Sequence, residues 1–125
     1  ESNRVYLLES IKLLKQIGFK IYATPGTSEY LTSNNIDNIC LNYDESSSNS
    51  VFNAISNNIV ELIINIPRNS DNVKNITNGF KIRRASINSS IPLITNVKIT
   101  SLLISSLRYY KKNGFTYKSW NDYIN

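Results

Sequence analysis

The sequence predicts an α/β fold in which a mostly parallel sheet carries helices on both faces. One observation behind this prediction is that segments with apolar residues at helical spacing alternate along the chain with short apolar runs. Another is that two of those runs, residues 60–66 and 91–95, are almost continuously apolar, which is typical of buried parallel strands. Alternating helices and strands of this kind form parallel sheets joined by right-handed crossovers.

The first half of the chain carries these helix and strand patterns in turn. Apolar residues at helical spacing predict a helix over residues 5–17, which Gly18 ends. The elements predicted next are a strand at 19–23, a short helix at 27–34 ended by Asn34 and Asn35, a strand at 36–41, a serine-rich loop at 42–50 that closes on a suitable helix cap, and a helix at 51–57. Cys40 falls in the second of these strands and is interpreted as a small core residue.

The second half continues the alternation and adds one long polar segment. Residues 68–78, which follow the strand at 60–66, are polar and aperiodic and predict a mobile loop over a binding site. The elements after this loop are a basic helix at 79–90, a strand at 91–95 and an amphipathic helix at 97–112. We therefore expect one domain over residues 1–112, followed by a tail at 113–125 that contains aromatic residues.

Composition limits the classes of function. The chain of 125 residues has a formal net charge of +5, which suits an anionic ligand. Its Lys and Arg residues form no stripe with interleaved aromatics, which argues against nucleic acid as a partner. The absence of His removes the commonest general base and argues against an enzyme. The single Cys leaves no intramolecular disulfide and no cysteine metal site.

The sequence also carries no sign of a membrane or secretory segment. No apolar run approaches the roughly 20 residues that a membrane-spanning helix needs, and no signal peptide is recognisable. We therefore expect a cytoplasmic domain with no membrane partner and no cofactor of its own.

The junction Ala23-Thr24-Pro25-Gly26-Thr27 is the strongest functional signal in the chain. A predicted strand ends here and a helix begins, so unpaired N–H groups and the positive end of the helix dipole meet at one place. Thr24 and Thr27 can each donate a hydrogen bond to a phosphate oxygen, and Gly26 lets a ligand approach the backbone. The motif predicts a site for a phosphorylated small molecule, with a plain turn and helix cap as the alternative.

Other polar side chains follow the neighbouring strands. Tyr43 comes after the second predicted strand, and Asn65 and Arg68 stand at the end of the third. Ligands of doubly wound α/β folds bind beyond the carboxyl ends of the strands. This convergence favours a ligand site over an isolated turn.

Four segments occur in an order and at spacings that resemble the methylglyoxal-synthase-like domain family. They are residues 23–27 (ATPGT), 62–67 (LIINIP), 82–86 (IRRAS) and 91–95 (IPLIT). The match covers roughly residues 4–108 and is most similar to the C-terminal regulatory domain of carbamoyl phosphate synthetase.

This resemblance implies a flavodoxin-like three-layer sandwich around a parallel sheet of five strands in the spatial order 3-2-1-4-5. The family domain opens with a strand, whereas this sequence opens with the helix that should follow it. The absent strand would lie between the strands at 19–23 and 60–66, and its absence would leave two buried edges unpaired. We therefore expect upstream residues or another segment to fill that position. One continuous sheet made of the four predicted strands alone would contradict this expectation.

The resemblance also implies an effector pocket. Thr24 and Thr27 resemble the two threonines that hold the effector's phosphate or carboxylate, and Gly26 lies between them. Arg4 falls where the family has a basic residue that supplies charge to the same group. Asn65 matches an asparagine at the end of a strand in the pocket.

The remaining pocket residues are assigned by the same resemblance. Tyr43 stands where bacterial members carry a lysine and animal enzymes an aromatic, which implies stacking on a base or ring. Arg68 and Asn78 fall in the loop that would close over the ligand, and Arg83 is the ligand candidate of the basic helix.

Several of these residues have a purely structural interpretation as well. Arg4 would then be a solvated residue at a terminus, and Tyr43 ordinary loop packing. Asn65 would satisfy a neighbouring loop. Arg83, like Arg84 beside it, would only present charge on a helix face.

The function implied is a non-catalytic allosteric domain of carbamoyl phosphate synthetase, a ligase that uses ATP and Mg. Its partners would be a small phosphorylated effector and the synthetase domains of the same polypeptide. In the pyrimidine type the effectors are uridine nucleotides (UTP or UMP) and phosphoribosyl pyrophosphate, and Gly26 favours this type.

Two alternatives are left open. One is a mitochondrial urea-cycle type that responds to N-acetylglutamate, and the segment 65–67 resembles this type more. The other is a vestigial interaction domain. A methylglyoxal synthase needs a histidine and a carboxylate base, and neither is present at the matching positions.

Overall fold

Helices and very short strands alternate through the computed structural model, which describes residues 2–66 and 73–112. The elements in chain order are α1 (Ser2–Ile17), β1 (Tyr22–Ala23), α2 (Pro25–Ser33), β2 (Ile39–Cys40), α3 (Val51–Ser56), β3 (Ile63–Ile64), α4 (Val73–Asn88), β4 (Leu93–Ile94) and α5 (Val97–Lys112). This is the order that the sequence predicts, and α5 has the predicted bounds.

The first and last helices belong to one of two compact units of the chain. α1 and α5 pack against each other, and the hydroxyl oxygens of Ser10 and Ser101 lie 3.4 Å apart. The buried apolar side chains of α1 recur at helical spacing, as the amphipathic pattern over 5–17 predicts. The buried side chains are Leu8, Ser10, Ile11 and Leu14 on α1 and Thr100 and Ile104 on α5.

The second unit, Ile21–Asn96, contains all four strands in two parallel pairs. β1 pairs with β2 through Tyr22 and Ile39, and β3 pairs with β4 through Ile63 and Leu93. Both neighbour relationships are those that the resemblance implies. The four described strands form two separate sheets, so the continuous four-stranded sheet that would contradict a missing strand is not observed. The strand expected between β1 and β3 stays a prediction.

One apolar core lies beneath both strand pairs of the second unit. Tyr22 of β1 and Ile63 of β3 pack against the same cluster of buried side chains. The cluster consists of Leu41, Val51, Ala54, Ile55, Ile82 and Ile91. The helices α3 and α4 therefore share their apolar faces with residues that flank β2 and β4.

Four helices end on a residue with positive φ, after which an amide N–H donates back to a carbonyl five residues earlier at 2.9–3.0 Å. This bonding satisfies the last carbonyls of a helix and requires a residue that tolerates the left-handed region. The residues in that region are Gly18 (φ 111), Asn35 (φ 60), Asn58 (φ 54) and Ser90 (φ 56). The predicted ends at Gly18 and at Asn34–Asn35 are confirmed.

The strands are shorter and less buried than the sequence predicts. β3 covers two residues of the predicted strand at 60–66, and both are only half-buried. Cys40 is exposed, so its interpretation as a core residue is wrong. Ile39 and Cys40 point to opposite faces of the short β2 and both are exposed, and the buried apolar position is Leu41 instead.

Helix α4 begins six residues before the predicted start at Gly79. The prediction of a loop over 68–78 is therefore wrong for residues 73–78. Val73, Ile76 and Phe80 have the three- and four-residue spacing of a helix, and this continues the pattern on the N-terminal side of the glycine. The rest of that predicted loop, and the predicted tail at 113–125, lie outside the described residues.

Candidate functional site

The junction between β1 and α2 carries the predicted phosphate motif. Thr24 adopts an extended conformation (φ −71°, ψ 162°) directly before the helix, and its hydroxyl makes no capping hydrogen bond. Its backbone carbonyl accepts the first intrahelical bond, from Ser28 N–H at 2.7 Å. Pro25 occupies the first helical position, where it has no N–H to satisfy. Thr24 is therefore the N-cap residue of α2, but its hydroxyl is not used to cap the helix.

Gly26 and Thr27 form the first turn of α2. Their N–H groups precede the first residue that can donate within the helix, so both are available to a ligand or to water. Gly26 is exposed, and a Cβ added to it would meet nothing within 4 Å. Among the described residues, the space beside the Gly26 α-carbon is therefore open. An anion at this helix N-terminus would meet two backbone donors and two threonine residues.

Asn65, Arg83 and Gly79 form a second group after β3. The N–H of Asn65 donates to Ile94 O at 2.9 Å, which fixes the end of the strand pair. Its side-chain Oδ1 accepts a hydrogen bond from Arg83 Nη1, also at 2.9 Å. Because a guanidinium can only donate, the amide oxygen must be the atom that faces Arg83.

Gly79 lies beside this pair, one helical turn before Arg83. A Cβ added at Gly79 would be 3.3 Å from Arg83 Nη1 and 3.7 Å from Asn65 Oδ1. The sequence does not predict that Gly79 lies beside this pair, because its pattern predicts Gly79 at the start of a helix. A glycine inside a basic helical pattern, four residues before an arginine, was the signal that could have found it.

Two cationic side chains of α4, Lys81 and Arg83, differ in whether a carboxylate pairs with them. Lys81 pairs with Glu45 of the loop after β2 at 3.5 Å, and both side chains are well exposed. Within the part of the chain that the structure describes, no carboxylate pairs with Arg83. The cation of Arg83 is therefore available to an anionic ligand, while that of Lys81 is partly balanced.

Asp44 in the same loop is the one described group with a resolved shift in its pKa. The hydroxyl and the N–H of Ser46 both donate to Asp44 Oδ1, at 2.7 and 3.0 Å. These hydrogen bonds favour the ionised form and hold the pKa of Asp44 below its ordinary value. The loop is thus ordered by local bonds around a negative charge.

The other predicted site residues fall in different places. Tyr43 is half-buried and packs against the apolar core of the second unit, which agrees with the packing interpretation, and its stacking role stays a prediction. Asn78 lies inside α4 rather than in a loop. Arg4 lies in α1, in the other compact unit. Arg68 lies outside the described residues, and Arg84 is exposed.

The structure therefore brings the predicted residues together in two groups. The first is Thr24, Gly26 and Thr27, and the second is Asn65 and Arg83 with the unpredicted Gly79. Both groups belong to the unit Ile21–Asn96 and follow strands that pack on one core. No hydrogen bond within residues 2–66 and 73–112 joins one group to the other.

Across the two described ranges, no three His, Cys, Asp or Glu side chains are grouped so that they could hold a metal ion. None of the helices found there is both long and apolar enough to cross a membrane.

Comparison with known proteins gives a family match and a set of relatives. A family model described as an MGS-like domain matches residues 6–95. The multifunctional protein pyr-3 of Neurospora crassa is 31% identical over 113 residues, which are 84% of this chain and 6% of that protein.

Two further relatives are named as carbamoyl phosphate synthases and not as multifunctional proteins. The carbamoyl phosphate synthase large chain of Thermoplasma volcanium is 31% identical over 110 residues, or 87% of this chain and 10% of that one. The human mitochondrial carbamoyl-phosphate synthase (ammonia) is 31% identical over 117 residues, or 90% and 8%. The chain spans a tenth or less of the length of these relatives.

Proposed function

The chain belongs to the MGS-like domain family, and we propose that it is a non-catalytic domain that binds a phosphorylated effector and thereby regulates carbamoyl phosphate synthesis. The observation that carries this proposal is the open N-terminus of α2, where two backbone N–H groups, an uncommitted Thr24 hydroxyl and Thr27 meet. An effector phosphate bound there would replace water on donors that the helix itself cannot satisfy. Arg83, which has no carboxylate partner among the described residues, supplies a cation to the same ligand.

The parent activity in this proposal comes from the relatives. They are named as carbamoyl phosphate synthases and as multifunctional proteins, and each is at least ten times as long as the aligned segment. The proposed partners are therefore synthetase domains in one polypeptide, which use ATP and Mg. Regulation requires that the effector and the synthetase substrates change each other's affinity by the same factor.

The effector we propose is a uridine nucleotide or phosphoribosyl pyrophosphate. A helix N-terminus with an exposed glycine between two threonines suits a compact group with several acceptor oxygens, which a phosphate provides and a single carboxylate does so less fully. The half-buried Tyr43 would stack on the base or ribose face.

N-acetylglutamate is the second candidate. Two observations favour it: the segment 65–67 resembles that branch, and a relative of similar identity is named as the mitochondrial carbamoyl-phosphate synthase (ammonia). In that case the same donors at α2 would hold a carboxylate, and Arg83 would pair with the other one.

The test is calorimetric titration of the full chain with UTP, phosphoribosyl pyrophosphate, N-acetylglutamate and inorganic pyrophosphate. Thr24→Ala is compared with Thr32→Ala, a matched change at the other end of the same helix. Loss of one hydrogen bond to a charged group weakens binding by about 1.5–3 kcal/mol, or roughly 10- to 150-fold. We expect that loss for Thr24→Ala and none for Thr32→Ala.

The pattern of ligands separates the alternatives. Preference for UTP or phosphoribosyl pyrophosphate over pyrophosphate supports the proposal, and preference for N-acetylglutamate moves the chain to the second candidate. Equal, weak binding of every anion, insensitive to Thr24→Ala, would mean that only the net charge of +5 attracts them. That result would reject an effector site and leave an interaction domain.

A further inference from the structure

Gly79 occupies a position where glycine costs helix stability and the backbone does not need it. It lies in the middle of α4, and among the described glycines it is Gly18, not Gly79, that has a positive φ. A glycine in a helix interior is less favourable than alanine because it loses more conformational freedom. The local helix therefore gives no reason for this residue.

The surroundings of Gly79 do give a reason. A Cβ at this position would lie 3.3 Å from Arg83 Nη1, closer than an ordinary van der Waals contact. It would also lie 3.7 and 3.8 Å from the two polar atoms of the Asn65 side chain. The Arg83 side chain lies against the Gly79 α-carbon, where any other residue would have a Cβ. In this space Arg83 Nη1 donates its 2.9 Å hydrogen bond to Asn65 Oδ1.

The bond leaves most of the guanidinium unused. Arg83 has five N–H donors, and one of them serves Asn65. Its neighbours on the helix differ from it, because Lys81 pairs with Glu45 and Arg84 is exposed. A guanidinium fixed at one nitrogen loses less freedom when its other donors take up an anion.

We propose that Gly79 is a positioning residue for ligand binding: the space at its α-carbon lets the Arg83 guanidinium lie against the Asn65 amide, which holds the remaining N–H donors ready for an anionic group of the ligand. This inference rests on the proposed function, which puts a phosphorylated ligand at the ends of the strands. It adds a residue that touches no ligand itself and acts through Arg83.

A double-mutant cycle on the full chain tests the inference, with inorganic pyrophosphate and UTP as probes. The variants are Gly79→Ala, Arg83→Gln and the two combined, and Arg84→Gln is the control with the same change of charge on the same helix. Gly79→Ala removes a helix-interior glycine, so we expect its melting temperature to stay the same or rise by up to about 5 °C. Gly79→Val, a larger obstacle to Arg83, extends the series.

We expect binding to weaken about 3- to 10-fold for Gly79→Ala, more for Gly79→Val, and about 30-fold for Arg83→Gln, with little change for Arg84→Gln. In the Arg83→Gln background Gly79→Ala should have no further effect, because its route to the ligand is gone. A purely structural role for Gly79 would instead lower affinity equally in both backgrounds.

The outcomes separate this inference from the proposed function. Wild-type affinity in Gly79→Ala, or additive losses in the double variant, would overturn the role of Gly79 and leave the effector site intact. No binding of either probe by the wild-type chain would reject the effector site and this inference with it.

Discussion

Asn65→Asp is the substitution that most directly tests whether Arg83 faces a ligand. Aspartate has the shape of asparagine and keeps an acceptor oxygen 2.9 Å from Arg83 Nη1. The change adds a negative charge beside a cation that has no carboxylate partner among the described residues. The folded chain should therefore be no less stable, while the local charge seen by an anion falls from +1 to near zero.

The size of the effect follows from the distances. A phosphate on the far side of the guanidinium would lie about 6 Å from the new carboxylate, and at an effective dielectric constant of about 20 the repulsion is about 3 kcal/mol. Arg83 is only half-buried, so screening by water and salt reduces this value. We expect pyrophosphate and UTP to bind Asn65→Asp about 10- to 100-fold more weakly than the wild type.

The affinity of each variant is measured by calorimetry at two salt concentrations, and its melting temperature by a thermal melt. The loss of affinity should shrink as salt rises, because it is electrostatic, and the melting temperature should not fall. Asn65→Ala is the comparison, since it removes the acceptor without adding charge and should weaken binding less. Equal or tighter binding by Asn65→Asp would refute the argument that the donors of Arg83 meet the ligand.

Three other predictions concern the frame around the site. Ser50→Ala removes a fully buried acceptor of the Phe52 N–H, so it should cost about 1–2 kcal/mol in chemical denaturation, while Ser48→Ala in the same loop should cost almost nothing. Ser90→Gly should raise stability by roughly 0.5–1 kcal/mol because Ser90 has a φ of 56°, and a lower melting temperature would contradict this. Ser46→Ala should raise the pKa of Asp44 in an NMR titration. In the wild type, the lowered pKa of Asp44 stabilises the folded chain at pH values above the ordinary aspartate pKa. This stabilisation is lost as the pH falls through the lowered pKa.

The ends of the helices were predictable because they depend on local chemistry. Gly18 and Asn35 are residue types that tolerate positive φ, and each stands where an apolar helical pattern stops. Ser50 is a cap on the same local grounds. Structural features that depend only on residues four or five positions apart can be predicted from a single sequence.

The extent of the strands was not predictable in this way. The apolar run at 60–66 predicts a long buried strand, but β3 pairs with one neighbour and regular pairing covers two residues. Cys40 likewise has a buried pattern in sequence and is exposed, as is Ile39 beside it in β2. Strand length and burial depend on partners that are distant in the chain.

The features of the candidate site also differ in whether they depend on local sequence or on distant contacts. The junction at Thr24 was predicted because strand, turn and helix are adjacent in sequence. The sequence does not predict the start of α4 or the place of Asn78 inside it, because a glycine such as Gly79 is typical of a helix boundary. The space at Gly79 matters only once α4 brings it beside Asn65, which is fourteen positions away in the sequence.

The asparagines of this chain differ in how far along the sequence their hydrogen-bond partners lie. Asn34, Asn42 and Asn53 bond to atoms within six residues of themselves and so close local turns and loops. Asn65 instead bonds to a side chain eighteen residues away, on another element. A local turn would be served by any nearby acceptor, whereas a long-range bond to a cation fixes one charged group in one place. The amide of Asn65 is therefore the one of these four whose replacement should change ligand binding before it changes stability.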